Sequence, residues 1–406
     1  MKILFVLEQL NIGGPQKSLL GMLEHIDFEK NTVDVLLLQN AGQLGKYLGD
    51  RVTVKQAADI VTAFTFPAKQ IRKTLKIFWH KGGIRLFLAA VYMLVKHAVR
   101  ADSMNVQRQK FWIKHRQYLP VLETEYDIAF GYAPVMSTYF VADCVRAKHK
   151  CHWVRGDYRM LDMDLRIEAQ YFKKMDGIIA VSNMCRDIFT GCFPFAKKKS
   201  SFFYNYIPYE FYKSLPEASF GAGRRQGGIR ILTAARIDFQ KGVNLILEAC
   251  ELLREKISFT WYIAGDGPAR RFYEKKCKKA GLEKELIFMG FQLNMLSCLK
   301  QSDLFVLPSA TEGKSNAVDE ARDYGMPVIV TNYPTAGEQI TDGETGLICD
   351  MTGADLAAKI LRVAADRNLA ERLTDNCRKM KQIHETPQQL FERIVCGCYE
   401  YRPQYQ

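Results

Sequence analysis

What this 406-residue sequence lacks already narrows its class. No apolar run reaches the ~18 to 20 residues that a membrane-spanning helix needs. The longest, Leu86 to Val95, is about half of that. The opening run from Met1 to Leu7 stops at Glu8, without the length or the small-residue cleavage site of a signal peptide. It reads instead as the first buried strand of a parallel sheet. The eleven cysteines are scattered and none shows a paired zinc-type spacing; Cys396 and Cys398 stand too close together for a metal knuckle. Reduced thiols in a cytoplasmic chain are the expectation, with no metal site. No short internal repeat or low-complexity tract is visible.

The composition, 48% hydrophobic and 25% charged, is that of a globular protein rather than a disordered or fibrous one. The length exceeds what one core usually supports, so two domains of roughly 200 residues are expected. Acidic residues are nearly missing from one stretch. Between Val61 and Pro120 there are twelve Lys or Arg and one acidic residue, Asp102, so this segment carries +11 of the net +13. Phe78, Trp79, Leu86, Phe87, Tyr92, Leu94, Phe111 and Trp112 lie among those cations. A basic, aromatic-bearing helical stretch suits the surface of an anionic membrane. It equally suits a solvated helical face whose aromatics pack inward. Nucleic acid would feel the same charge, but no nucleic-acid-binding module is recognisable and no such partner is expected.

Short β-branched-rich runs alternate with amphipathic stretches throughout, the pattern of parallel βαβ units. In the first half the expected strands are Ile3–Leu7, Val33–Leu38, Asp127–Tyr132, His152–Arg155, Gly177–Ser182 and Ser201–Tyr204. A loose segment from Tyr206 to Gly228 reads as a hinge. The second half restarts with strands at Ile229–Ala234, Phe259–Ala264, Leu286–Phe288, Asp303–Leu307 and Pro327–Thr331. The fold expected is α/β, two facing, doubly wound, Rossmann-like domains with a cleft between them. The first would cover 1–207 with a basic helical insertion at about 61–120, followed by a linker at 208–228. The second would cover 229–385, with a C-terminal helix in 386–406 returning to the first.

Two loops carry the chemistry. Arg236 and Lys241 lie between a strand and the helical pattern that begins at Val243. Cations at a strand's C-terminal end beside a helix N-terminus suit a diphosphate, whose growing charge they could neutralise as it leaves, without a metal. In the second loop, Pro308 to Ala321, Glu312 and Glu320 stand eight positions apart. A carboxylate accepts two hydroxyl hydrogen bonds at once, which fits a vicinal diol, and Gly313 leaves room for backbone to approach a ligand.

Arg236 with Lys241-Gly242, the run Ala264-Gly265-Asp266-Gly267-Pro268, Phe288-Met289-Gly290-Phe291, and the pair Glu312 and Glu320 together resemble the retaining glycosyltransferases of family 4, which have the GT-B fold. The resemblance is strong from about Ile229 to Ile348 and weaker upstream. It implies that Arg236 and Lys241 hold the diphosphate of a nucleotide-sugar donor, that Glu312 contacts the donor sugar and Glu320 the ribose, and that Phe291 and Gln292 approach the base. Gly14 and Gly265, with Gly313, Lys314, Ser315 and Asn316, would complete the donor site. Gly13 with Gly14 matches the family's glycine pair near the phosphates and acceptor. Arg155 and Asp157 lie where members often carry a His-Asp element, with Arg155 at the His position; His152 would face the other way. No cofactor is implied beyond the co-substrate. The resemblance to capsule and exopolysaccharide enzymes implies a UDP-sugar donor and a saccharide or lipid-linked acceptor at the inner face of the membrane. Two competing readings share the fold: a sugar-nucleotide epimerase, and a catalytically weak scaffold subunit suggested by Arg155. A nicotinamide oxidoreductase is disfavoured, because Gly265-Asp266-Gly267 lacks the third glycine and the acidic partner.

Overall fold

Two all-parallel sheets organise the computed structural model, which describes residues 1–39, 42–100, 103–217, 220, 228–379 and 385–399. The first sheet contains β1 (Lys2–Leu7), β2 (Thr32–Leu37), β3 (Val52–Gln56), β4 (Glu125–Gly131), β5 (Arg146–Val154), β6 (Gly177–Ala180) and β7 (Ser200–Phe202), in the order β3-β2-β1-β4-β5-β6-β7. The second contains β8 (Ile229–Ala234), β9 (Phe259–Ala264), β10 (Leu286–Gly290), β11 (Leu304–Leu307), β12 (Val328–Thr331) and β13 (Leu347–Cys349), in the order β10-β9-β8-β11-β12-β13. The chain divides into Met1–Tyr206 with His384–Gln406, and Ile207–Ile383. Each sheet reverses its direction of winding once, between β1 and β4 and between β8 and β11. In open α/β sheets, ligands bind beyond the strand C-termini at this switch. That rule directs attention to the loops after β1, β4, β8 and β11.

The central strands are apolar on both faces, as strands sandwiched between helices must be. Ile3 to Leu7 are wholly buried, as are Ile231 and Leu232. Two strands escape the sequence pattern, β3 and β13. Both are edge strands, and β3 buries Val52 while leaving Val54 exposed, so it offers no apolar run. Strand β5 begins at Arg146, six residues before the expected start; its half-exposed first part, Arg-Ala-Lys-His-Lys, is held by pairing to β4.

The helix Pro387–Val395 packs on the first sheet. Its Phe391 ring lies 6.1 Å from Phe130, and Arg393 donates to Ser201 at 2.6 Å. Within the expected linker, Tyr209–Lys213 is a short helix belonging to the second unit. Positions 218–219 and 221–227 lie outside the described residues, as do 400–406 of the C-terminal segment. All eleven cysteines are described and none is bridged.

After α1 (Gly14–Glu24), the basic segment folds as α2 (Asp59–Phe64), α3 (Ile71–Arg100) and α4 (Met104–His115). Its aromatics divide. Phe78, Phe111 and Trp112 bury against Phe64, with ring centroids 5.2 to 5.7 Å away. Each such burial contributes on the order of 2 kcal/mol. Trp79 and Tyr92 stay exposed. Helix α3 also corrects the reading from apolar runs, because Ile71–Val99 is long and apolar enough to cross a membrane by length and composition. Arg85 and Lys96 interrupt the apolar run in sequence, but not the helix.

Candidate functional site

At the switch of the second sheet, the loops after β8 and β11 are pressed together. Asp238 caps the single turn Phe239–Lys241 by accepting from the Gln240 amide. Gly242 then takes φ 68° to enter the helix Val243–Leu253, and a Cβ there would meet the Pro308 carbonyl oxygen at 1.8 Å. Only glycine tolerates both demands. The Ala310 amide donates to the Gln240 carbonyl at 2.8 Å, closing the junction.

This junction brings together Lys241 and Glu312, 71 residues apart, with Nζ 2.7 Å from Oε1 and both side chains mostly buried. The Ser309 hydroxyl donates to the same oxygen at 2.7 Å, and Thr335 donates to the Glu312 carbonyl. Two donors therefore fix Oε1, while no described residue donates to Oε2. A carboxylate has about four lone-pair positions, so this one is oriented yet retains acceptor capacity.

Arg236 is not part of that pairing. Its side chain is 69% exposed and turns to Asp238, 2.7 Å away. Gly265 lies under the β8 loop, where a Cβ would strike the Ala235 carbonyl at 1.9 Å; its position is required for packing of the loops. Beyond β10, Phe291 is exposed, and Gln292 donates to the Met289 carbonyl at 3.3 Å. Glu320 is buried on the helix Asn316–Tyr324, where Tyr212 donates to it at 2.5 Å.

Lys314, expected in the donor site, turns its side chain into the loop. Its ammonium is buried and ion-paired with Asp319, which also faces Arg322 at 3.4 Å and accepts from Gln339 at 2.8 Å. Burial pushes the Asp319 carboxyl up, but the two cations outweigh it and hold the group below its usual range. The Lys314 side chain thus braces the loop from inside. Ser315 likewise commits its hydroxyl as the cap of the Asn316 helix, accepting from the Val318 amide. Gln339 bonds the Ser315 backbone in both directions at 2.9 Å. Neither Ser309 nor Gln339 was singled out from sequence; one lies within the quoted loop, but nothing in sequence ties Gln339 to it. Among the described residues, no three His, Cys, Asp or Glu side chains converge as a metal site.

In the first unit, Gly13 caps α1, and Gly14 begins it ahead of Pro15. Arg155, just past β5, reaches this corner. Its Nη1 donates to Ser18 of α1 at 2.7 Å and to Asn205 at 3.1 Å, and its guanidinium stacks 3.8 Å from the centre of the Tyr132 ring. Nη2 is buried without a partner among the described residues. Burial lowers the pKa, against the opposing effect of Tyr132. Asp157 instead caps the next turn and clasps Arg159 at 2.6 Å, which holds its carboxyl below the usual range. His152 lies in the core between Thr138 (2.7 Å) and Tyr158 (2.8 Å), and burial pushes it down to about 3. Glu8, directly after β1, ties the basic segment to this edge through Arg108 of α4 at 2.8 Å. Its signal was its position at the end of the first strand.

The description "Glycosyl transferases group 1" matches residues 216–380, the part that holds Lys241, Glu312 and Glu320. The chain carries a group 1 glycosyl transferase domain. The 2-deoxystreptamine N-acetyl-D-glucosaminyltransferase of Niallia circulans is 34% identical over 138 residues, covering 32% of this chain and 36% of that one. The lipopolysaccharide core biosynthesis glycosyltransferase LpsE of Rhizobium meliloti is 29% identical over 146 residues, covering 36% and 42%. The chain thus matches well under two thirds of the length of these relatives. Over nearly its whole length, 98% of this chain and 97% of the other, it superposes on Anabaena Alr3699/HepE, solved with UDP, at TM-score 0.63 and 16% identity. That likeness shows the fold, which is GT-B. The group 1 motifs lie on its second sheet.

Proposed function

We propose that the chain is a retaining glycosyltransferase that moves a sugar from a UDP-sugar to a saccharide or lipid-linked saccharide in cell-surface polysaccharide synthesis. The observation that carries this is the Lys241–Glu312–Ser309 cluster at the sheet switch: a cation beside an oriented carboxylate whose second oxygen accepts from no described residue. Lys241 meets the β-phosphate, joined by Arg236, which is exposed and can leave Asp238 at little cost because surface ion pairs are weak. Glu312 Oε2 accepts from a sugar hydroxyl. Glu320, deeper along the helix, accepts from the ribose, and Phe291 and Gln292 border the base.

In this reaction the acceptor oxygen bonds to the anomeric carbon on the face from which the diphosphate departs, and the hydroxyl proton leaves with the diphosphate. The protein positions the partners and stabilises the leaving charge. No protein nucleophile and no metal ion is required by this scheme. Support for the polysaccharide role comes from relatives such as LpsE, a lipopolysaccharide core biosynthesis glycosyltransferase. Thermal shift against UDP, GDP and their sugar conjugates, with nucleotide release followed for each, tests the proposal. Stabilisation by one UDP-sugar, with release accelerated by a membrane lipid extract, is expected. Binding without release under every condition would favour a scaffold.

A further inference from the structure

The second limb of α3 is apolar on two opposite faces, and only one of them is used by the fold. Gly83, at φ 67° and ψ −172°, kinks the helix and separates a limb beginning at Ile71 from one beginning at Ile84. On the second limb, Leu86, Ala90 and Met93 are buried against the domain. Ile84, Leu88, Tyr92, Val95 and Val99 are exposed, from 53% at Ile84 to 78% at Val99. At ~100° per residue, those five fall within an arc of about 80°, nearly opposite the buried trio. The exposed stripe is therefore not spillover from the core.

The first limb presents a different surface. Arg72, Lys73, Lys76 and Lys81 are exposed on it, and Arg85 follows the kink. No Asp or Glu occurs anywhere in Ile71–Arg100. Arg85 and Lys96 line one edge of the apolar stripe, at roughly 100 to 120° from Ile84. From that edge long stems can lie along apolar surface while the charge reaches water or phosphate. Trp79, half exposed, sits near the junction, and Trp and Tyr favour the headgroup level.

We propose that α3 is a docking element for the surface of an anionic lipid bilayer, with the first limb drawn by charge and the second limb inserting its stripe parallel to the membrane plane. Charge complementarity selects this occupant: each cation near an anionic leaflet adds to the attraction, and an apolar stripe beside unopposed positive charge is the composition of an interfacial helix. A protein partner would have to offer an acidic rim around an apolar groove. A spanning arrangement would require Leu86, Ala90 and Met93 to leave the core. The second limb would then reach only about 25 Å against a hydrocarbon thickness of ~30 Å.

The test is flotation of the full chain with vesicles of phosphatidylcholine alone or mixed equally with phosphatidylglycerol, without nucleotide sugar. A failure here is thus distinct from a failure of the transferase reading. Binding at least tenfold stronger to the anionic vesicles is expected. Two double variants, Leu88→Ser with Val95→Ser and Lys73→Glu with Lys76→Glu, should each reduce it at least tenfold while keeping the melting temperature and UDP affinity. A blue shift of Trp79 emission on binding, missing in Trp79→Phe, would place the kink at the interface. Equal binding to both vesicle types, or none, overturns the proposal. So does a dimer in sedimentation that the Leu88→Ser, Val95→Ser variant dissolves, or bound chain that resists extraction by alkaline carbonate, the mark of a spanning helix.

Discussion

Lys241 gives the sharpest single-residue prediction. Its ammonium faces Glu312 at 2.7 Å in the unliganded protein and, in the proposed reaction, a departing diphosphate. Lys241→Ala should lower kcat/KM by about 100- to 1,000-fold, the usual scale for losing one stabilising donor in a transition state. Steady-state nucleotide release measures it, and unchanged kinetics would remove Lys241 from the leaving-group role. Arg155 calls for a different expectation. Its bonds to Ser18 and Asn205 and its stacking on Tyr132 join three segments of the first unit. Arg155→Ala should therefore cost about 1 to 3 kcal/mol in urea unfolding, because the partners lose charge-assisted bonds. Sequence placed Arg155 at a functional corner, and the structure gives it a bracing task there. What it could not tell was that Lys314 turns inward: a lysine in a loop reads the same whether its ammonium faces a ligand or a buried aspartate five residues along the chain.

Among the elements, the helix Asn316–Tyr324 rests on a buried charge group. Asp319 answers both Lys314 and Arg322. Asp319→Asn would remove the buried carboxylate that Lys314 and Arg322 share, leaving Arg322 its pair with Asp323, and a loss of about 3 to 5 kcal/mol is expected in chemical denaturation. Helix α3 offers an internal comparison two residues apart. Leu86→Ala, in the core, should cost about 2 to 5 kcal/mol; Leu88→Ala, on the exposed stripe, should stay within about 0.5 kcal/mol. Equal effects would mean that the limb is rotated from the position described. The central strands were legible because burial on both faces demands β-branched and aromatic runs, as in β1 and β8. Strands β3 and β13 were not, because an edge strand held by one neighbour needs no such run. Likewise α3 was undercounted, since Arg85 and Lys96 break an apolar run but lie along one edge of a helical stripe, which helical periodicity reveals.

For the molecule as a whole, acidity acts through two buried groups of opposite sign. Burial raises Glu168 from its usual 4.5 to about 7, against hydrogen bonds from Tyr139 and Gln109. Its contribution is complete below pH 4.5 and lost as pH rises through about 7. His152, pushed down to about 3 by burial and then by Arg155, contributes above pH 6.5 and loses that contribution as pH falls towards 3. Glu168→Gln should therefore gain stability relative to the parent between pH 5 and pH 8, by up to ~3 kcal/mol. Paired unfolding curves at the two pH values check this, and a constant difference would show that Glu168 is already ionised in the fold. The two-sheet architecture was readable from alternating strands, and spaced motifs marked the two loops that bring Lys241 to Glu312. The tie of Pro387–Val395 to the first sheet rests on Phe391 against Phe130 and Arg393 on Ser201, contacts between residues about 190 to 260 positions apart that no local pattern encodes. That tie has a temporal consequence. During synthesis the ribosome must complete the whole second unit before the segment that covers Phe130 emerges, so the first unit waits with an uncovered apolar face until that helix closes it.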